Sequence, residues 1–202
     1  ADDLLAKFLA LKLPREKIEE YLALHHRDAV SLLAAFHASG DAENPTGDIN
    51  YLKEAATNYP NDPHVQWTVL AHNVFPEERR KWLEAFKTSS PANSLADYLS
   101  AQDYFKNSQA DKAVNELLAA TGKSQFKDHS METLLGEEDL YRSAGKTPLE
   151  ANRAAMSALR EDFMPEMATL KSVAISTRDM QKQYVAAADA ASSENLSQMT
   201  VA

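Results

Sequence analysis

The chain has no cysteine among its 202 residues. That absence removes disulfides, thiolate chemistry, cysteine-ligated zinc and iron–sulfur clusters together, and it suits the cytoplasm and a bacterial periplasm equally. Glycine is scarce, at 5 residues, whereas alanine numbers 33. Hairpin turns and bulges draw on glycine for positive φ, so this balance argues against an all-β fold and for helices. No stretch approaches the ~18 consecutive apolar residues that a membrane-spanning helix needs. No run of basic residues offsets the formal charge of −9, from 21 Lys plus Arg against 30 Asp plus Glu; nucleic acid is therefore not an expected partner, and neither is an anionic lipid surface. No charged-then-apolar leader is visible, and the chain opens at Ala1. We read it as a processed or excised segment of a longer, bacterial protein, soluble, and cytoplasmic or periplasmic.

What is present is a succession of helical stripes punctuated by Pro, Gly, Asn and Asp. Leu4, Leu5, Phe8 and Leu9 share one face of a segment from Asp2 to Leu11. Pro14 suits a first turn, and Ile18, Tyr21, Leu22 and His25 give the next stripe. Asp28 is the expected N-cap of a helix over Ala29–Ala38, with Gly40 just past its end. A loop follows over 41–47. Asp48 caps a helix to about Tyr59, Pro60-Asn61-Asp62-Pro63 turns the chain, and helices are expected at 64–74, 76–88, 94–106 and 109–121. Ser130 is the expected cap of a helix through about Ala144, ended by Gly145. Thr147-Pro148-Leu149-Glu150 combines a capping box with Pro in the first turn, and Pro165 should kink or split the helix that starts there.

A repeat is visible in the middle of the chain. A shift of about 31 residues aligns Tyr51 with Trp82, Leu52 with Leu83, Thr57 with Thr88 and Pro60 with Pro91; a shift of about 30 aligns Val69 with Leu99, Ala71 with Ala101 and Val74 with Tyr104. Trp67-x2-Leu70-Ala71-x2-Val74, followed by Leu83 and Pro91, carries the middle unit. Ala101-x2-Tyr104, then Ala113-x3-Leu117-x2-Ala120, carries the third. Val30-x2-Leu33-Ala34-x2-His37, then Leu52-x2-Ala55 and Pro60, carries the first. This pattern resembles a degenerate tetratricopeptide repeat over residues 28–125, in units 28–60, 61–91 and 92–125. The resemblance implies an all-α fold, a right-handed array of antiparallel helix pairs forming a superhelix. Residues 1–27 would supply extra N-terminal helices and residues 126–202 C-terminal helices that pack on or cap the array. Ala34, Ala71, Ala101, Ala113 and Ala120 are the expected contact points between helices.

The resemblance also implies a protein-interaction scaffold whose first helices line a concave groove. On that reading the groove carries Ser31 and Leu32, then Val65, Thr68, Val69 and His72, then Leu95, Tyr98, Leu99 and Gln102, and takes an apolar or amphipathic peptide or helix from a protein partner. The Lys, Asn and Arg with which family members clamp an acidic peptide C-terminus are missing from the matching positions. Two alternatives stand beside it. In one, the chain's own C-terminal helices fill the groove through Leu159, Phe163 and Leu170. In the other, the domain binds a ligand or catalyses a reaction at a pocket lined by His64, Trp67 and His72.

No catalytic residue, metal ligand set or cofactor is expected from any motif. Gly122-Lys123-Ser124 and Gly145-Lys146-Thr147 imitate the end of a phosphate-binding loop, but Leu117 and Leu140 occupy the required glycine position, and a helix C-terminus explains both. His25-His26-Arg27-Asp28 reads as one helix end and the next helix start. Adjacent helical residues point ~100° apart and do not share an ion. Glu19-Glu20 and Glu137-Glu138-Asp139 read as solvated faces.

Overall fold

A computed structural model describes residues 13–40, 47–161, 165–186 and 197. Ten α-helices run through them: α1 (Arg15–Leu24), α2 (Ala29–Ala38), α3 (Ile49–Asn58), α4 (Pro63–Ala71), α5 (Arg79–Ser89), α6 (Leu95–Lys106), α7 (Ala110–Thr121), α8 (Ser130–Ser143), α9 (Pro148–Glu161) and α10 (Pro165–Ala186). Pairing of strand type among the described residues is limited to one isolated bridge, Asn93 with Gln125. The all-helical class expected from composition is what forms. The stripe at Asp2–Leu11 and most of the loop at 41–47 lie outside the described residues.

The chain divides into two compact units, residues 1–76 with 129–163 and residues 77–128 with 164–202. The division falls inside the middle repeat expected at 61–91, whose first helix α4 belongs to the first unit and whose second helix α5 belongs to the second. The C-terminal segment is shared as well: α8 and α9 belong to the first unit and α10 to the second.

The first unit is built round α2. Leu32, Leu33, Ala34, Ala35 and Phe36 are all buried there, because the helix is apolar nearly all round; Val30, in its first turn, is exposed. Helices α1, α3, α4, α8 and α9 all pack on it. Its start is fixed as expected: the Asp28 carboxylate accepts from Ser31 N at 2.8 Å, which satisfies one of the backbone donors orphaned at a helix N-terminus. Asp48 and Asp62 cap α3 and α4 in the same way. The turn into α3 needs Gly47, whose φ is +84° and where a Cβ would stand 1.8 Å from the Phe36 carbonyl oxygen. The capping box at α9 also forms, with Thr147 N donating to Glu150 at 2.9 Å and Glu150 N to Thr147 Oγ1 at 3.4 Å. At α8 the expectation needs correction. His129, in the left-handed region with φ +60°, is the N-cap residue, and Ser130 is the first residue of the helix.

The second unit is built round α6, on which α5, α7 and α10 pack. Ala101, Ala113, Leu117 and Val173 form one buried cluster, with Tyr98, Tyr104 and Phe105 against it. Two alanines at the α6–α7 contact let the backbones approach, and the two helices form the closest pair in this unit. Arg80 fixes α5 to α6: its guanidinium donates to Asp103 and to Ser100 Oγ, each at 2.6 Å, and lies 3.9 Å over the Tyr104 ring. Beyond α7 the chain is strapped to the start of α6. Ser94 N donates to the Gln125 carbonyl at 2.8 Å, and the Asn93 side chain accepts from Lys127 N and donates to the Lys127 carbonyl.

The turn from α1 to α2 stores strain. His26 and Arg27 are consecutive non-glycine residues with φ of +54° and +53°, a region that costs about 1 kcal/mol or more per residue. The Arg27 side chain over-determines it. Its guanidinium holds Glu54 through two bonds of 2.6 and 2.7 Å and Glu19 through a third of 2.7 Å, while Tyr59 OH donates to the Arg27 carbonyl at 3.1 Å. Tyr51 OH completes the cluster on Glu19 at 2.8 Å, and burial, together with that carboxylate, pushes the phenol up to about 12. The bonds from Arg27 hold both Glu54 and Glu19 below the usual carboxylate value of 4.5.

Near pH 4 the folded cluster therefore binds fewer protons than the unfolded chain. Its stabilisation is present above about pH 4.5 and is lost as pH falls through the depressed values. Arg27→Met should lower stability by about 1–2 kcal/mol at neutral pH, a figure held down by the partial exposure of all three side chains. It should also flatten the loss of stability between about pH 5 and about pH 3. Urea unfolding across that range checks both; an acid slope identical in the variant and the parent would remove this cluster from the linkage.

Candidate functional site

The eight residues expected to line a groove do not share one environment. Val65, Thr68, Val69, Leu95 and Leu99 are buried, as are Ser31 and Leu32. These positions therefore do not form an open surface. Helix α4 is enclosed in the first unit because His64, Val65, Gln66, Trp67, Thr68, Val69 and Leu70 are buried in sequence, with the Thr68 hydroxyl satisfied by the His64 carbonyl at 2.9 Å. The remaining three, His72, Tyr98 and Gln102, are half-buried. The His72 ring stands edge-on to Phe36 at 4.8 Å and lies 5.8 Å from the His37 ring. Tyr98 leans on Phe126 at 6.2 Å and on the α6–α7–α10 cluster. Leu170 is half-buried on α10, and Val173, one turn on, enters that cluster. Phe163 and the side chain of Leu159 lie outside the described residues.

Large apolar side chains are exposed singly at Leu24, Val30, Leu118, Phe126 and Ile175, and four more on the outer side of the α8–α9 hairpin. Helix α8 turns Gly136, Glu137, Leu140 and Tyr141 inward. With 3.6 residues per turn, Met131, Leu135 and Arg142 fall on the opposite side. On α9, Ala151, Ala154 and Ala155 are inward and Leu149 and Met156 outward. Asn152 Nδ2 donates to Glu138 at 3.4 Å, a bond that links the two helices on their solvated side. Met131 is 61% exposed, Leu135 57%, Leu149 71% and Met156 47%. Glu138 also meets Arg142 at 3.7 Å, so the face carries both signs of charge beside four flexible or aliphatic side chains.

Gly136 sets the position of this face. A Cβ there would stand 3.2 Å from Val30 Cγ1 and 3.6 Å from the Ala34 Cβ, so a larger residue would press on α2 at this crossing. Ala34 is thus a contact point, as expected, but its partner is α8. Ala101, Ala113 and Ala120 are buried too, while Ala71 is half-buried.

The other motifs resolve individually. Lys123 of the first imitation phosphate loop lies 2.6 Å from Asp97, and Gly122 and Gly145 follow the ends of α7 and α8. His25 ends α1 with its Nε2 3.6 Å from Asp139 and its ring 4.2 Å from Tyr21. Tyr21 OH donates to the same carboxylate at 3.2 Å, and burial first, then Asp139, raises the Tyr21 phenol. Two of the carboxylates expected on solvated faces are engaged elsewhere. Glu137 is fully buried, since its position points inward on α8, and Glu19 is held by Arg27 and Tyr51. Among the described residues no three His, Asp or Glu side chains are gathered as metal ligands, and no described helix is long and apolar enough to cross a membrane.

Sequence reasoning missed a buried pair of imidazoles. His64, in the first turn of α4, and His129, at the start of α8, stack with ring centroids 5.1 Å apart and planes 9° apart. The two residues lie far apart in the chain, so no local pattern could have shown it.

Comparison with protein-family models, with curated proteins and with solved structures gives no match, and the assignment of a role rests on the geometry. Gly136→Leu should drive α8 from α2 and lower the unfolding free energy by about 2–3 kcal/mol, the range of core overpacking. Urea denaturation measures it. A Gly136→Leu variant as stable as the parent would mean that α8 does not depend on this crossing.

Proposed function

We propose that the chain is a non-catalytic interaction module, with helix pairs of the tetratricopeptide-like kind, that docks an amphipathic helix from a protein partner on the outer face of α8–α9. The observation that carries this reading is the exposure of Met131, Leu135, Leu149 and Met156 on the outward sides of two packed helices whose inner faces are committed to the core. Isolated exposed apolar residues are ordinary, whereas a contiguous group marks contact surfaces. Two methionines suit a surface that adapts its shape to the apolar side of a helix. Glu138 and Arg142 at the edge favour a partner helix whose own polar flank carries both signs.

The burial of the expected groove residues supports a related statement about architecture. The concave faces that first helices would offer are taken up by the chain's own C-terminal helices, α8 and α9 in the first unit and α10 in the second. The self-filled groove and the outer docking face then belong together, since α8 and α9 supply both.

The test uses a labelled synthetic amphipathic helix of about 18 residues, roughly 27 Å long, with Leu on its apolar side and Lys and Glu in equal number on its polar flank. Titration by fluorescence anisotropy should be run at about 0.3 M salt, which suppresses general attraction to a chain of charge −9. Saturable binding is expected for the parent, weakened at least about tenfold, or ~1.4 kcal/mol, by Leu135→Asp with Met156→Asp. Circular dichroism should show unchanged helix content, because both positions are solvated. Tyr98→Asp should leave binding unchanged. Loss through Tyr98→Asp with retention in the α8–α9 variant would move the site to the second unit and sink the proposal.

A further inference from the structure

After α7 the chain runs past the start of α6 as a short extended strand, and only one of its two edges is used. Gln125 N donates to the Ala92 carbonyl at 3.1 Å, and the Gln125 carbonyl accepts from Ser94 N at 2.8 Å, the two bonds of the parallel bridge with Asn93. Two residues on, Lys127 repeats the pattern against a side chain. Its N donates to Asn93 Oδ1 at 2.9 Å and its carbonyl accepts from Asn93 Nδ2 at 2.8 Å. Backbone groups that turn to the same side at every second residue belong to an extended strand. The N–H and C=O of Phe126, which stands between the two, therefore point the opposite way, as do those of Ser124.

Among the described residues that second edge is unpaired. Neither Ser124 nor Phe126 makes a backbone hydrogen bond there, and both are exposed, Phe126 by 44%. The strand itself is firmly held. Asn93 and Ser94 are buried, Ser94 Oγ adds a second bond to the Gln125 carbonyl at 2.9 Å, and Lys123 at the strand's entry lies 2.6 Å from the buried Asp97. An unpaired edge is a template for another extended chain, and an edge already fixed in place lowers the ordering cost of adding one.

We propose that the Ser124–Phe126 edge takes an extended peptide from a protein partner as an added strand. This stands independently of the helix docking on α8–α9, which belongs to the other unit. The outward N–H and C=O groups match the alternating donors and acceptors of an extended chain, whereas a helix has already spent its own internally. A second copy of the chain fits poorly: so short an edge buries far less than the ~1,200 Å² of a stable interface, and each copy carries a charge of −9. The same charge disfavours an acidic peptide. The Phe126 ring lies 6.2 Å from that of Tyr98 on α6, an aromatic pair beside the edge that suits a β-branched or aromatic residue in the cross-strand position. The partner segment is thus extended, free of acidic residues, and β-branched or aromatic where it meets Phe126.

Amide spectra of the isotope-labelled full chain test this with a synthetic peptide of about seven residues, alternating Thr and Val between terminal Lys, at up to about 1 mM. The Ser124 and Phe126 amide signals should shift saturably, and those of Met131 and Leu135 on α8 should stay in place. The same peptide N-methylated at its central amides keeps every side chain but loses its donors whichever way it runs, and should bind at least about tenfold more weakly. Phe126→Pro deletes a donor that is bonded to nothing among the described residues, and the extended backbone of Gln125 suits the position before proline. Its circular dichroism should match the parent, with affinity down at least about tenfold. Phe126→Val keeps the N–H and a strand-forming side chain, and should hold affinity within about threefold. Absence of a saturable shift at these two amides, or equal binding of the methylated peptide, overturns the proposal. So does sedimentation as a dimer whose Ser124 and Phe126 amides are protected before peptide is added, which would give the edge to a second copy.

Discussion

The close approach of α8 to α2 at Gly136 is the constraint on which the first unit depends. Helix α2 is buried over most of its length, Val30 apart, and the sequence-local helices α1, α3 and α4 do not cover it alone. The chain completes the cover by returning, after the segment that builds the second unit, with α8 and α9. A residue without Cβ leaves room beside Val30 and Ala34 for the returning helix, whose Leu140 and Tyr141 enter the core. The crossing also decides what α8 shows to solvent. Once Gly136, Glu137 and Leu140 are inside, the 3.6-residue period leaves Met131 and Leu135 outside, and the docking face is the other side of the same packing event.

The second unit solves the same problem on a smaller scale. Helix α6 is covered by its neighbours α5 and α7 and then by α10, which also arrives from the C-terminal segment. Here the close approach is made by alanines, Ala101 and Ala113, instead of glycine. The electrostatics differ between the units in keeping with exposure. Asp97, which is almost fully buried, has Lys123 at 2.6 Å, because an unpaired interior carboxylate is costly. The Arg27 cluster lies nearer the surface and acts through geometry, holding a strained turn by bonds to two helices at once. Both arrangements use one cation to fix a chain reversal next to the unit's central helix.

How much of this was legible in the sequence depends on the range of each interaction. The caps at Asp28 and Asp48 and the box at Thr147–Glu150 are local, since a side chain reaches a backbone N–H two or three residues away, and all three form; Asp62, read only as part of a turn, is a cap as well. Helix positions followed from them, with α6 (Leu95–Lys106) and α7 (Ala110–Thr121) within a residue of their expected bounds at 94–106 and 109–121. The interior was legible as a list and not as a set of neighbours. Ala34 reads as a helix contact point, but nothing near it in sequence announces Gly136 as its partner. A groove placed on Val65, Val69, Leu95 and Leu99 follows from helical period plus the repeat resemblance. The same period describes a buried face equally well, and what covers a face depends on helices far along the chain. Ser130 reads as the cap because its side chain is the usual kind; the burial of His129, which stacks on His64, instead makes the preceding residue the turning point.

The shifted cap explains why a histidine stands at a position where asparagine or glycine would relieve the backbone. A left-handed φ of +60° costs His129 free energy that a glycine would not incur. An aliphatic side chain at 64 would fill the same volume without needing a hydrogen-bond partner. The imidazole pair brings ring-on-ring contact and a polar link to Thr133, both of which other residues can imitate. The strain at residue 129 and the burial of two ionisable rings both act against stability, and they meet at the start of the helix that carries the exposed methionine and leucine. Strained and buried polar features persist where the surrounding structure over-determines them, and here Thr133, bonded to both residues, fixes the start of α8.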